Sequence, residues 1–442
     1  MSDYENGQIC VASCFAFSDS RCIRFFIELG EALAERMVQL VVLGTQDVPE
    51  LGFPQLQVPY SLLGFDDFVR IPDLVPIHAV TPLANAEYAW TGETASGDTW
   101  ARAIAKCEWF YRVIAEELSP CAALLWNTSH PNSRVGRNIL QANDVPAWCL
   151  ERGQLAGTYQ IQAGEVNAWD DSLAVFSTHA GFEFDLDRQP HTTFDAARAY
   201  SDSVAIDRHV VDATSADLPE FGGKGPVVLV LTSALGSSIE PRDVRSINLS
   251  QPFWERLQSI IGALDASLPQ DATILFRDHP INRNVIGAPL RLPQRFIEMP
   301  GTPIAELIDR ADRVACIGTT TLQYEALLRD KPLLVLGRSL ATRSGAAYAP
   351  SSRHALDAAV SDWIADSDGL ARRRNARGLI GLLCERHLIR EDGALPHIRH
   401  GVSDLADFIA AQSLSGTAPV ADRIARFTQR FIDGSSLGGL AT

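Results

Sequence analysis

The sequence predicts an α/β protein made of two successive doubly wound units, each a mostly parallel sheet wrapped by helices. Three observations carry that expectation. The chain has 442 residues, more than one ordinary core holds and enough for two at roughly 100–200 residues each. Short apolar runs alternate with amphipathic stretches, the pattern of strand–helix–strand units. Between about 183 and 224 that alternation lapses into a mixed stretch of Asp, Ala and Ser, which sets the hinge.

The elements follow in order. Residues 8–17, QICVASCFAF, are a continuous apolar run and are expected as a buried strand. Residues 21–37 carry apolar side chains at helical spacing, and 37–44, MVQLVVLG, return as a strand, which completes a βαβ opening. Residues 99–118 form a helix, 122–127 a strand, 133–144 a helix and 146–151 a strand. The second series begins with a strand at 225–233 after FGGKG. It continues with a helix (252–268), a strand (272–280), a helix (304–311), a strand (313–318), a helix (321–329) and a strand (332–337). Residues 421–434 read as a last amphipathic helix. Two such series suggest Rossmann-like domains facing each other, with boundaries 1–215, 216–415 and a terminal helix at 416–442. Ligands of such sheets bind beyond the carboxyl ends of the strands. That directs attention to WN, LERG, LTSALGSS, RDHP and IGTTT, all at or just after strand ends.

Composition excludes several classes. Lys plus Arg total 38 against 54 Asp plus Glu, a net charge of −16, which argues against nucleic acid as a bulk partner. No apolar run reaches the roughly 18 residues of a membrane span. The start, MSDYENGQICVASCFAF, is acidic and lacks the basic region of a signal peptide, so a soluble cytoplasmic protein is expected. The eight cysteines are scattered without a CxxC pair and are expected as buried thiols rather than a zinc site.

Three motifs carry chemistry. In GTTTLQYEALL, Thr319, Thr320 and Thr321 stand where a strand turns into a helix. They either cap the helix or hold an anion beside its amides. Glu325, one turn in, is placed to accept from a ribose diol. In FRDHP, His279 can donate to a phosphate, Arg277 supplies a bidentate charge and Pro280 sets the turn. There is no GxxxxGKS, which excludes a P-loop ATPase. In the first unit, Glu151 and Arg152 close a strand and Gly153 follows. A carboxylate there is placed for acid or base work, or for a loop salt bridge. Asn127, at the neighbouring strand end, is placed for a sugar hydroxyl.

In their order, LERGQLAGT, GEVN, DHP and TTTLQYEALLRDKPLLVLG resemble the bacterial capsule polysaccharide synthesis proteins, the group with the β-Kdo transferases. The resemblance spans about residues 122–340, roughly half the chain. It implies a GT-B fold, a CMP-activated sugar acid as donor substrate with no further cofactor, and no metal. It also implies a glycan or glycoconjugate acceptor, in surface polysaccharide assembly, with peripheral association at the inner membrane. Carried over by position, His279 and the Thr319–Thr321 turn meet the CMP phosphate, Glu325 sits by the ribose or base, and Glu151 lies at the reacting centre. The first domain takes the acceptor and the second the nucleotide. Gly153 and Asn167 fall within the matching stretch as substrate contacts.

There is a departure. The retaining Kdo transferases resemble one another in an Asp shortly after a strand ending in Q-V. Here the corresponding stretch, VLVLTSALGSSIE, has Ser237 at about that place and Glu240 as the nearest carboxylate. Two-carboxylate retention is therefore not evident, and direct displacement with Glu151 as base is as easy to draw. Other readings are a CMP-polyol-phosphate transferase, a nucleotide-sugar epimerase, or a non-catalytic nucleotide-binding subunit.

Overall fold

A computed structural model describes residues 7–15, 19–71, 74–128, 130–162, 191–203, 225–233, 253–280, 282, 290–318, 320–337, 339–391, 395–412 and 419–434. The first unit contributes strands β1 (Gln8–Cys14), β2 (Val38–Gly44), β3 (Gln55–Gln57), β4 (Ala122–Trp126), β5 (Ala147–Arg152) and β6 (Thr158–Gln162). The second contributes β7 (Val227–Thr232), β8 (Thr273–Arg277), β9 (Phe296–Glu298), β10 (Arg313–Ile317) and β11 (Leu333–Leu336), and β12 is Leu388–Arg390. The helices are α1 (Ser20–Ala34), α2 (Gly64–Phe68), α3 (Val80–Thr91), α4 (Gly97–Val113), α5 (Pro131–Ala142), α6 (His191–Ser203) and α7 (Phe253–Ser267). They continue with α8 (Ile304–Arg310), α9 (Leu322–Leu328), α10 (Leu340–Arg343), α11 (Leu356–Ala365), α12 (Gly369–Arg386), α13 (Val402–Ala410) and α14 (Val420–Gly434).

One sheet has the order β12-β6-β5-β4-β1-β2-β3 and the other β11-β10-β7-β8-β9. Each therefore contains the same series: β3-β2-β1-β4-β5 in the first, β9-β8-β7-β10-β11 in the second. All of these pairings are parallel. This is the doubly wound order. Its direction of winding reverses between β1 and β4 and between β7 and β10, the switch points beyond which ligands bind.

Parity explains the sandwich. In β1 the odd residues Ile9 and Val11 face one helix layer, while Cys10, Ala12 and Cys14 face the other. A strand buried on both faces needs no polar alternation, which is why β1 is mostly apolar, with Gln8 at its start and a single buried hydroxyl at Ser13. None of the eight cysteines forms a disulfide, and all eight are buried. α1 starts at Asp19, whose carboxylate accepts the Arg21 N–H at 3.0 Å, and buries Cys22, Phe25, Phe26, Leu29 and Leu33 along one stripe.

The chain returns to the first unit at its C-terminal end. β12 pairs antiparallel with β6, α13 packs against α1, and α14 sets Val420 and Phe427 into the first unit's core. The return begins by residue 388, so the expected boundary at 415/416 falls inside it. The two Rossmann-like units and terminal helix expected of a GT-B fold are thus both present. Leu155, Leu388, Leu395 and Ile398 join Phe194 and Ala197 of α6 in the core beside the second sheet. No helix among the described residues is long and apolar enough to cross a membrane.

Candidate functional site

At the second switch point a buried polar knot ties two strand ends together. The Thr232 hydroxyl, at the end of β7, donates to Asp278 Oδ1 at 2.5 Å. The His279 backbone N–H is shared between Thr232 Oγ1 and Asp278 Oδ1, each at 2.9 Å. Asn282 Nδ2 donates to Asp278 Oδ1 at 2.8 Å and to the Ser233 carbonyl at 3.0 Å. Asp278 and Thr232 share strand parity, whereas Arg277 points to the opposite face and donates to the Met299 carbonyl at 2.5 Å. His279 is left half-exposed just beyond the knot, with exposed Pro280 after it.

The neighbouring strand, β10, runs into the threonine turn. The Ser233 N–H donates to the Ile317 carbonyl at 3.0 Å, which holds the ends of β7 and β10 side by side. Gly318 has φ +81° and Gly337 approaches it closely, since a Cβ on Gly337 would stand 3.3 Å from the Gly318 Cα. Thr320 is half-exposed and its hydroxyl accepts the Leu322 N–H at 3.3 Å, while exposed Thr321 caps α9 without a side-chain bond. α9 has seven residues, so its dipole is short and anion binding there falls mainly to side chains. Glu325 faces inward. Its carboxylate accepts from the Ser201 hydroxyl on α6 and from Arg329 at 2.9 Å, which ties α9 to α6.

At the end of β5, alternation sends the two candidate residues to opposite faces. Arg152 lies on the α1 side, 2.8 Å from Asp19 and 3.6 Å from the Cys22 thiol. The Cys14 hydrogen bond, followed by the charge of Arg152, brings that thiol down to about 6 despite its burial. Glu151 lies on the other side, and its Oε1 accepts the Arg152 N–H at 2.9 Å. Gly153 is buried where the β5–β6 hairpin closes. A Cβ there would stand 2.0 Å from Thr158 Oγ1 and 2.8 Å from Leu388, so the glycine serves a close approach of three strands. Asn127 ends β4 with φ +48°, a left-handed turn that asparagine tolerates.

The first switch point also holds residues that the motifs passed over. His130, 2% exposed, ends the turn after β4 beneath three partly exposed rings: Tyr60 at 4.4 Å, and Phe15 and Trp90 each at 5.5 Å. Among the described residues, neither of its ring nitrogens has a hydrogen-bond partner. Glu87, one turn before Trp90 on α3, is fully buried; its Oε1 accepts the Leu62 N–H at 3.0 Å and its Oε2 is unpartnered. Burial pushes Tyr60 up to about 12, helped by the charges of Glu87 and Glu151. The available signal was a second His–Pro, His130–Pro131, at a strand end just as His279–Pro280 is. Asp278, Thr232 and Asn282 had no such signal, because a knot across two strands has no sequence spacing. Thr319, Asn167, Ser237 and Glu240 lie outside the described residues.

No family model and no curated protein matches the sequence. Among solved structures, the S. aureus MnaA–UDP co-structure is similar at 13% identity, over 84% of this chain and 91% of that one, with a TM-score of 0.36. Glycosyltransferase VinC in complex with dTDP is similar at 12% identity, over 92% and 100%, with a TM-score of 0.36. The Streptomyces nogalater glycosyltransferase SnogD is similar at 14% identity, over 92% and 100%, with a TM-score of 0.34.

Proposed function

We propose that the protein is a glycosyltransferase that moves a sugar acid, Kdo or a related nonulosonic acid, from a CMP-activated donor to a glycan acceptor. The observation that carries this reading is the second switch point. A buried Asp278–Thr232–Asn282 knot sets His279 beside the ends of β7 and β8, with the Thr320–Thr321 turn on the next strand. Donors of that kind, at a strand-end crevice, suit an anion. The CMP assignment rests on the ordered LERG, DHP and TTT-EALL motifs.

In this reading His279 and the hydroxyls of Thr319, Thr320 and Thr321 bind the donor phosphate. Pro280 shapes the rim, whereas Arg277, expected to supply a charge there, turns to the other face of β8 and donates to the Met299 carbonyl. The bond between the anomeric carbon and the phosphate oxygen breaks, and CMP departs with the electron pair, its charge held by those donors. The acceptor oxygen forms the new bond, and Glu151 takes its proton. Arg152, held by Asp19 and Cys22, supports the strand end that carries Glu151. No metal enters this scheme.

Calorimetry with CMP, UDP, dTDP and GDP tests the donor. CMP is expected to bind more tightly than the other three, and His279→Ala to weaken it. Equal or tighter binding of a diphosphate nucleotide overturns the CMP assignment. Failure of the parent protein to bind any of the four nucleotides overturns the site.

A further inference from the structure

We propose that Cys22 is a peroxide-reactive thiolate and Cys14 its resolving thiol, so that a hydroperoxide joins the end of β1 to the first turn of α1 by a reversible disulfide. The chemistry of these two sulfurs stands apart from the glycosyl-transfer reading.

Position comes first. Cys14 is the last residue of β1 and Cys22 the third of α1. Strand alternation puts Cys14 on the face that packs against α1, and Cys22 opens the buried stripe of that helix. Both sulfurs therefore enter one core cluster, where the Cys14 thiol donates a hydrogen bond to Cys22.

Charge comes second. Arg152 reaches across from the end of β5, 2.8 Å from the Asp19 carboxylate and 3.6 Å from the Cys22 sulfur. Arg21 stands 3.3 Å from the same carboxylate. Two guanidinium groups thus share one carboxylate, and a thiolate at Cys22 balances the second. Cys22 also lies in the first turn of a helix of 15 residues, whose amides favour a negative sulfur. The Cys14 hydrogen bond and the Arg152 charge bring its thiol down to about 6. Burial pushes Cys10, Cys107, Cys121, Cys149, Cys316 and Cys384 the other way. Tyr159 is held protonated by burial and by the Cys22 charge, so the anion resides on sulfur.

Access follows from the ion pair. Arg152 and Asp19 are partly exposed, so the buried sulfur lies just beneath side chains that solvent reaches. Hydrogen peroxide is little larger than water. The Cys22 thiolate attacks one peroxide oxygen, the O–O bond breaks, and hydroxide leaves with the electron pair and takes a proton. Cys22 is then a sulfenic acid. The Cys14 sulfur attacks it, the S–O bond breaks, the Cys14 proton leaves with the hydroxide as water, and the S–S bond forms.

The test exposes the full chain to hydrogen peroxide, blocks the remaining thiols with N-ethylmaleimide and maps the peptides by mass spectrometry. A peptide joining Cys14 to Cys22 is expected to accumulate while the other cysteines are still alkylated, and dithiothreitol should remove it. In C14S, dimedone should trap a sulfenic acid at Cys22; in C22S neither product should form. The rate in the parent should rise with pH through about 6. R152Q should move that rise to higher pH and slow the reaction at pH 6 about tenfold, since fewer thiols are ionised. Oxidation spread evenly over the cysteines, no Cys14–Cys22 peptide, or no trapped product in C14S overturns the proposal. An unshifted pH profile in R152Q overturns the thiolate held by Arg152.

Discussion

Glu87 and His130 are both buried, and their titrations pull stability in opposite directions. Burial raises the Glu87 carboxyl from 4.5 to about 8. Between those values the unfolded chain has released a proton that the folded chain still holds. This contribution is therefore full below about pH 4.5 and is lost as pH rises toward about 8, at up to about 1.4 kcal/mol per unit. E87Q should accordingly gain in melting temperature over the parent as pH rises through that window. His130, depressed from 6.5 to about 3, behaves oppositely: its contribution is present above 6.5 and is lost as pH falls toward about 3. H130Q should flatten the acid limb of the melting profile. Parallel profiles for parent and both variants would sink the burial argument. Gly153 makes a simpler case. G153A forces a Cβ against Thr158 Oγ1 and Leu388 and should destabilise by about 1–3 kcal/mol in denaturant unfolding. Unchanged stability would mean the hairpin relaxes freely.

Among the elements, the ends of β7 and β8 are held by one carboxyl. Asp278 Oδ1 receives the Thr232 hydroxyl, the His279 N–H and the Asn282 amide. D278N exchanges an ionised acceptor for a neutral amide and loosens the turn that presents His279. Nucleotide affinity should drop about tenfold to a hundredfold, the scale of a lost charge-assisted hydrogen bond, with far less change in melting temperature. Calorimetry beside a melting curve separates the two; an unaltered affinity would leave the knot with a purely structural role. The strands and helices that flank the knot were legible because each has its own period. QICVASC and VVLVLT are short apolar runs, and FWERLQSIIGALDAS repeats at helical spacing. β12 was not legible: three residues, LIR, become a strand only because β6 offers an edge from more than two hundred positions earlier. Pairing across such a distance leaves no local mark.

On the scale of the whole molecule, the first unit is incomplete without the end of the chain. β12 extends its sheet, α13 covers α1 and α14 enters its core. Arg423 of α14, nearly buried, donates to the carbonyls of Leu118, Ser119 and Gly7 and so ties α14 to the turn before β4 and to the start of β1. A fragment ending at residue 215 keeps six strands but lacks those layers. It should show no cooperative unfolding transition in denaturant, whereas the full chain should. A sharp transition in the fragment would show that the return only decorates an independent fold.

Apolar periodicity and strand-end polar residues determined, by themselves, that this is an α/β chain with two strand–helix series and a terminal helix. They also drew attention to LERG, RDHP and GTTT, since each follows an apolar run. The tertiary structure alone decided what those residues face. Adjacent in sequence, Glu151 and Arg152 part to opposite sides of β5 because side chains alternate across a strand. Glu325, spaced as if to greet a ligand, turns into a buried pair with Ser201 and Arg329 because α6 packs there. Asp278 and His130 acquire their surroundings from strands, loops and helices far apart in the chain. Local pattern carries the period of an element, but a site is a meeting of several elements, and only packing brings them together.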